Sequence, residues 1–209
     1  MGRKPRRWRW IFHRGDRILV PMKQAVRNLM FFAAGGLGLL WAFAPGVGCA
    51  KEAAMKLLSG AFSDGAKMPF SHVKQGAGGE NVSPPLAWEH PPAGTRSFAL
   101  TVVDPHPVAR NWVHWIVVDI PAGVNTLPEK ASGENMPEGA RELVNSFGET
   151  GYGGPQPPAG SGDHPYVFTI YALDTAMLPL SERTTLVGFL KAIEGHVLGK
   201  GELTGYFGR

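Results

Sequence analysis

The sequence predicts a mainly β domain, an antiparallel sandwich of two sheets with a few peripheral helices. Three observations carry that expectation. Apolar runs of eight or nine residues, rich in β-branched and aromatic side chains, recur along the body of the chain. Turn formers are dense, with 28 Gly and 18 Pro among 209 residues. The regular alternation of strand and helix that builds a doubly wound parallel sheet is missing.

Taken in chain order, residues 1–49 read as an export leader and residues 50–209 as one domain. Leu29 to Ala44 is apolar and uncharged, with Lys23 and Arg27 before it and small residues after it. A basic segment, a short apolar segment and small residues form the pattern of a signal peptide. Extended to Ala50, the run is long enough for an uncleaved anchor, which needs roughly 20 apolar residues. A start at Met22 would leave a compact leader, and the Arg6-Arg7 pair lies too far from the apolar run for a twin-arginine signal. Cys49, the single cysteine, follows Val47-Gly48 as in a bacterial lipobox, although Gly46 stands where Leu is usual. Lipidation at Cys49 and simple cleavage nearby are alternative readings. Either way no internal disulfide forms, and a nearly cysteine-free domain suits an oxidising compartment. The expected location is the bacterial periplasm or the exterior, with a membrane tether if Cys49 is lipidated.

Charge follows the same division. Residues 1–49 hold nine Lys and Arg against one acid, whereas residues 50–209 hold twelve against sixteen, a net of −4. The pI near 9.3 therefore belongs to the leader. The leader is expected to engage the membrane, and attraction of the domain to a nucleic-acid backbone is excluded.

Within the domain, Ser97–Asp104 places Phe98, Leu100 and Val102 on one face and Ala99, Thr101 and Val103 on the other, as a buried strand does. Trp112–Ile120 and Tyr166–Asp174 read the same way. Leu186, Phe189, Leu190, Ile193 and Val197 recur at helical spacing, with Ser181 or Thr184 as a cap and Gly199 as a stop. Glu202–Phe207 reads as a short final strand. The stretch 121–165 has no clear period, and its Gly and Pro content predicts an ordered, repeatedly turning loop.

Two segments carry the chemistry. Asp104 to Trp115 contains Asp104, His106 and His114, and Gly151 to Tyr166 contains His164 and Tyr166. The spacing of two puts His164 and Tyr166 on one face of a strand. Imidazoles, a phenol hydroxyl and loop N–H groups together hold a phosphate or carboxylate. Asp104 ends a strand before a proline, where turn capping is the usual role; at the site it is better suited to orienting a histidine than to meeting an anion. A histidine inside a strand, as His114 is, more often serves packing. Gly-x-Ser-x-Gly, Walker, dinucleotide and His-Glu-x-x-His patterns are all missing, so no cofactor and no metal is expected. His72, His90 and His196 read as surface or packing residues. Trp112 and Trp115 read as core, with one of them available to wall a pocket.

Several further motifs occur in order: Phe62-Ser-Asp-Gly, Gly79-Glu-Asn-Val-Ser-Pro-Pro-Leu-Ala-Trp88, Gly94-Thr-Arg-Ser-Phe98, Asp104-Pro105, His114-Trp115, Asn145-Ser-Phe-Gly148, the Gly-x-x-Gly-Pro-x-Pro-Pro run from Gly151, and His164-x-Tyr166. With the ending from His196 to Tyr206, they resemble the phosphatidylethanolamine-binding protein family, in its bacterial Raf-kinase-inhibitor-like branch, from about Phe62 to Arg209. The resemblance implies a large antiparallel sheet packed on a smaller one and a pocket for phosphate-like head groups. Carried over by position, that pocket uses Asp104, His114, Gly154, Pro155, His164 and Tyr166. The chain departs from the family at His106, where the family has Asp, and at Val108, where it has Pro. An imidazole at 106 would tighten anion binding below about pH 6.5, where an unperturbed histidine protonates.

The expected function is binding of a phosphate-like anion or phospholipid head group outside the cytoplasm. Two alternatives stand beside it. The resemblance implies a regulator of a peptidase or kinase, acting on a protein partner through the 121–165 loop. The His/Asp pair would also allow a weak hydrolase or lyase with a general base.

Overall fold

The computed structural model describes residues 53–209, so the leader and Cys49 lie outside the described residues. The chain forms β1 (Lys56–Ser59), β2 (Leu86–Glu89), β3 (Ser97–Asp104), β4 (Trp112–Pro121), β5 (Thr126–Leu127), β6 (Arg141–Glu142), β7 (Asp163–Leu173), α1 (Leu186–Ile193) and β8 (Val197–Gly208). β1, β2 and β5 make a three-stranded sheet, and β6-β4-β3-β7-β8 make a five-stranded one. The pairings within both sheets are antiparallel. The expected sandwich of a small sheet on a large one is what forms.

The alternation in β3 decides the layering. Phe98, Leu100 and Val102 enter a core shared with Leu57, Leu86, Trp88 and Leu127 of the small sheet. Ala99 belongs to a second core on the opposite face, where Ile116, Val118 and Leu143 meet Phe189 and Ile193 of α1. Phe189 is fully enclosed, and truncating such a side chain to Ala costs about 3–5 kcal/mol. The large sheet is thus buried on both faces, which is why its central strands lack polar alternation.

The boundaries differ from the sequence reading at four places. The helix ends at Ile193, because Gly195 takes a φ of 81° and turns the chain; Val197 and Gly199 then lie in β8. The cap is Thr185, whose Oγ1 accepts from Gly188 N–H at 3.3 Å, rather than Ser181 or Thr184. β7 begins at Asp163, three residues early, because Asp163 to Pro165 pair with Gly208 to Tyr206. β3 pairs with β7 only as far as Val167, so Pro165 needs no ladder donor on that side. β8 is also longer than expected. At its Gly201 a Cβ would lie 2.8 Å from Lys56 C and 2.9 Å from Leu57 N, so β1 can cross only a glycine there. The 121–165 loop carries β5 and β6, and its Leu143, Ser146 and Gly153 N–H groups bond to the β4 carbonyls of Ile116, Val113 and His114.

Candidate functional site

A bulge sets the geometry of the site. In the β3–β4 pairing Val102 faces Trp115 and Val103 faces Val113, which leaves His114 as the extra residue. Strict alternation would send His114 to the α1 side with Ile116. Instead His114 and Trp115 turn to the same face, as bulged residues do. His114 then meets Tyr166 of β7, with ring centroids 5.0 Å apart and planes at 79°. His164 and Tyr166 share that face, both buried, as the spacing of two required.

Two polar clamps hold the imidazoles. His114 Nδ1–H donates to Gly153 O at 2.6 Å, and Gly153 N–H donates back to His114 O at 2.8 Å. This fixes one tautomer and leaves Nε2 as a lone-pair acceptor. Burial drives the His114 pKa down to about 4, against the opposing pull of the Gly153 carbonyl and Asp104. His164 Nδ1 donates to Asp104 Oδ2 at 2.6 Å, with both side chains enclosed. Asp104 Oδ1 accepts from His106 N–H at 2.9 Å. Asp104 therefore caps the turn after β3 and orients a histidine at once.

Ser161 Oγ lies 3.0 Å from His164 Nε2, so Ser161, His164 and Asp104 form a line that resembles an acyl-transfer triad. Pro158 O lies 2.6 Å from the same Oγ, closer than the imidazole, so the carbonyl competes with Nε2 for the single hydroxyl hydrogen. The line is a clamp on the imidazole.

These groups open on a cavity of about 220 Å³ lined by Asp104, His114, His164 and Tyr166, by the apolar residues Val108, Ala109, Trp112, Phe147, Pro157 and Pro158, and by Gln156. The Tyr166 hydroxyl is buried and has no hydrogen-bond partner among the described residues. Burial raises its pKa above the ordinary phenol value, so it stays protonated and able to donate. No Lys or Arg stands in the lining. Lys74, the cation acting on His114, is paired with Glu149 at 2.6 Å and lies over the Phe147 ring.

Three expected site residues stand elsewhere. His106 is outside the lining; its ring stacks on His164, with centroids 3.8 Å apart and planes at 22°. Its Nδ1 accepts from Val108 N–H at 3.3 Å, so that lone pair is already used. Gly154 and Pro155 lie behind the wall. Gly154 N–H donates to Asn81 Oδ1 at 2.7 Å, and Pro155 O accepts from Lys74 N–H at 3.1 Å. A Cβ on Gly154 would come within 2.3 Å of His72 O, so glycine is needed for close backbone approach. Of the two tryptophans, Trp115 is core and Trp112 is exposed and walls the cavity. Among the other histidines, His72 is buried and bonded to Val82 O, while His196 pairs with Asp174 at the surface. Sequence reasoning missed Phe147, whose short Asn-Ser-Phe-Gly segment has no period to announce it.

Fold and cavity together define a class: a two-sheet antiparallel sandwich with a small His- and Tyr-lined cavity beside a bulge in the larger sheet. The chain belongs to the phosphatidylethanolamine-binding protein family, whose model matches residues 58–208. It is 42% identical over 160 residues to the UPF0098 protein YbhB of Escherichia coli K12, a match spanning 73% of this chain and 99% of that one. The crystal structure of E. coli YbcL, described as a member of the mammalian PEBP family, superposes with a TM-score of 0.71 at 36% identity, covering 75% of this chain and 99% of YbcL. A Mycobacterium tuberculosis H37Rv relative that bears the name "Putative lipoprotein LppC" is 41% identical over 153 residues, 73% of this chain and 72% of the relative.

Proposed function

We propose that this protein binds a small phosphate-like anion in the cavity formed by Asp104, His114, His164 and Tyr166, and that it does so outside the cytoplasm. The observation that carries the reading is the Tyr166 hydroxyl, buried at the cavity wall with no partner among the described residues. Leaving such a group unsatisfied costs about 1–3 kcal/mol, and a ligand oxygen within reach offsets that cost. His114 is clamped from behind by Gly153, so its free Nε2 meets a ligand with little reorganisation. At about 220 Å³ the cavity is below the roughly 300–1,000 Å³ of drug-sized pockets, which suits a head group rather than acyl chains. The leader pattern and the name of the mycobacterial relative support the location.

Titration calorimetry with inorganic phosphate and phosphoethanolamine tests the reading. Binding by the wild type that is lost in His114→Ala and His164→Ala, with the fold intact by circular dichroism, supports it. A folded wild type that binds neither ligand overturns it.

A further inference from the structure

We infer that the cavity selects a phosphomonoester carrying one proton, its P–O–H donated to His114 Nε2 while Tyr166 Oη donates to a bare phosphoryl oxygen; this inference rests on the anion-binding reading above. The reciprocal bonds between His114 and Gly153 spend Nδ1–H on a carbonyl and leave only a lone pair for the ligand. Burial keeps that ring neutral down to about pH 4, so Nε2 stays an acceptor across the neutral range. Both nitrogens of His164 are engaged, by Asp104 and by Ser161. No Lys or Arg in the lining balances a second negative charge.

These facts sort the candidate ligands. A phosphate dianion sets a bare oxygen against the Nε2 lone pair. A phosphodiester has no O–H to give. A carboxylic acid has the O–H but is almost wholly ionised at neutral pH, with a pKa near 4. A phosphomonoester has a second pKa of about 6, so roughly a tenth of it carries the needed proton at pH 7. The apolar rim at Trp112 and Val108, both exposed, accepts the organic part of the ester.

The test is calorimetry on the wild-type protein with methyl phosphate and dimethyl phosphate between pH 5 and 8. The ionisable groups near His114 are Asp104, His164, Tyr166 and Lys74, with His106 on His164 and Glu149 on Lys74. Their titration acts alike on any monoanion, so dimethyl phosphate, a fixed monoanion, is the control. Only the protonated fraction of the monoester binds, so its apparent Kd should rise roughly 100-fold from pH 5 to pH 8, bending near pH 6. Dimethyl phosphate should bind at least about tenfold more weakly than methyl phosphate at pH 5 and change little with pH. A difluoromethylphosphonate, with a lower second pKa, should move the bend to lower pH. Dihexanoyl phosphatidate carries the same acid on a lipid; tighter binding than methyl phosphate assigns a lipid source and weaker binding a soluble one, both with the bend retained. Dimethyl phosphate binding as well as methyl phosphate, or in parallel with it across pH, overturns the inference and leaves the anion site standing. If nothing binds at pH 5, the anion-binding reading falls, and this inference with it.

Discussion

Asp104 and His164 face each other across 2.6 Å inside the protein, both closed to solvent, while the other oxygen of Asp104 holds the His106 N–H. One carboxylate thus ties the turn after β3 to the start of β7. Removing one partner of such a pair leaves the other buried and unmatched. Asp104→Ala should destabilise the protein by about 3–5 kcal/mol in urea unfolding. Asp104→Asn keeps one acceptor oxygen, enough for one of the two contacts, and should lose less than Asp104→Ala. Equal losses for the two would show that the retained acceptor contributes nothing and that the paired charge with both its contacts is needed.

Acid sensitivity should trace to His114. Its pKa is about 4 in the fold, against 6.5 as an ordinary histidine. Above pH 6.5 the ring is neutral in both states and adds no slope. As pH falls from 6.5 to 4, the unfolded chain takes up a proton and the folded chain does not. Stability should therefore fall by up to about 1.4 kcal/mol per pH unit, about 3 kcal/mol in total, and level off below pH 4. The urea stability of the wild type at pH 7 and pH 4.5, set against that of His114→Gln, isolates this slope. An identical slope in the variant would refute the assignment.

Tyr166→Phe should separate stability from binding. Deleting a buried, unpartnered hydroxyl removes a desolvation cost, so the empty protein should gain about 1 kcal/mol, read as a higher Tm. Methyl phosphate should bind the same variant about tenfold more weakly by calorimetry, since one hydrogen bond to a charged oxygen is lost. A variant that is destabilised and binds normally would contradict both parts.

Gly154 serves backbone approach. Gly154→Ala would drive a Cβ against His72 O and Lys74 N, both of them main-chain atoms that cannot rotate away. The expected loss is about 1–3 kcal/mol or more, seen in thermal unfolding. Gly133→Ala is a comparison, because the space there is open and only its φ of 74° is strained.

Much of the architecture was legible in the chain. Phe98, Leu100 and Val102 alternate with Ala99 and Thr101, and that period of two is a direct record of two buried faces. His164 and Tyr166 converge because a strand places residues two apart on one side. The helix end was not legible, since Val197 continues the apolar period past the glycine that breaks the helix. β1 and β2 were not legible either, because four-residue strands are too short to show a period.

The two-sheet layering, the convergence of His164 and Tyr166 and the charge division between a basic first 49 residues and a mildly acidic remainder can be read from the residues alone. Each of these follows from local spacing or composition. Packing between distant segments, by contrast, turns His114 to the same face, engages its Nδ1 proton with Gly153, sets Asp104 on His164, and makes Phe147 and Trp112 walls of the cavity while Gly154 and Pro155 stand behind it. A β-bulge is a mismatch between two strands, and a tautomer is set by a partner 39 residues away. Both are relations between distant segments, so neither is written in the residues of one.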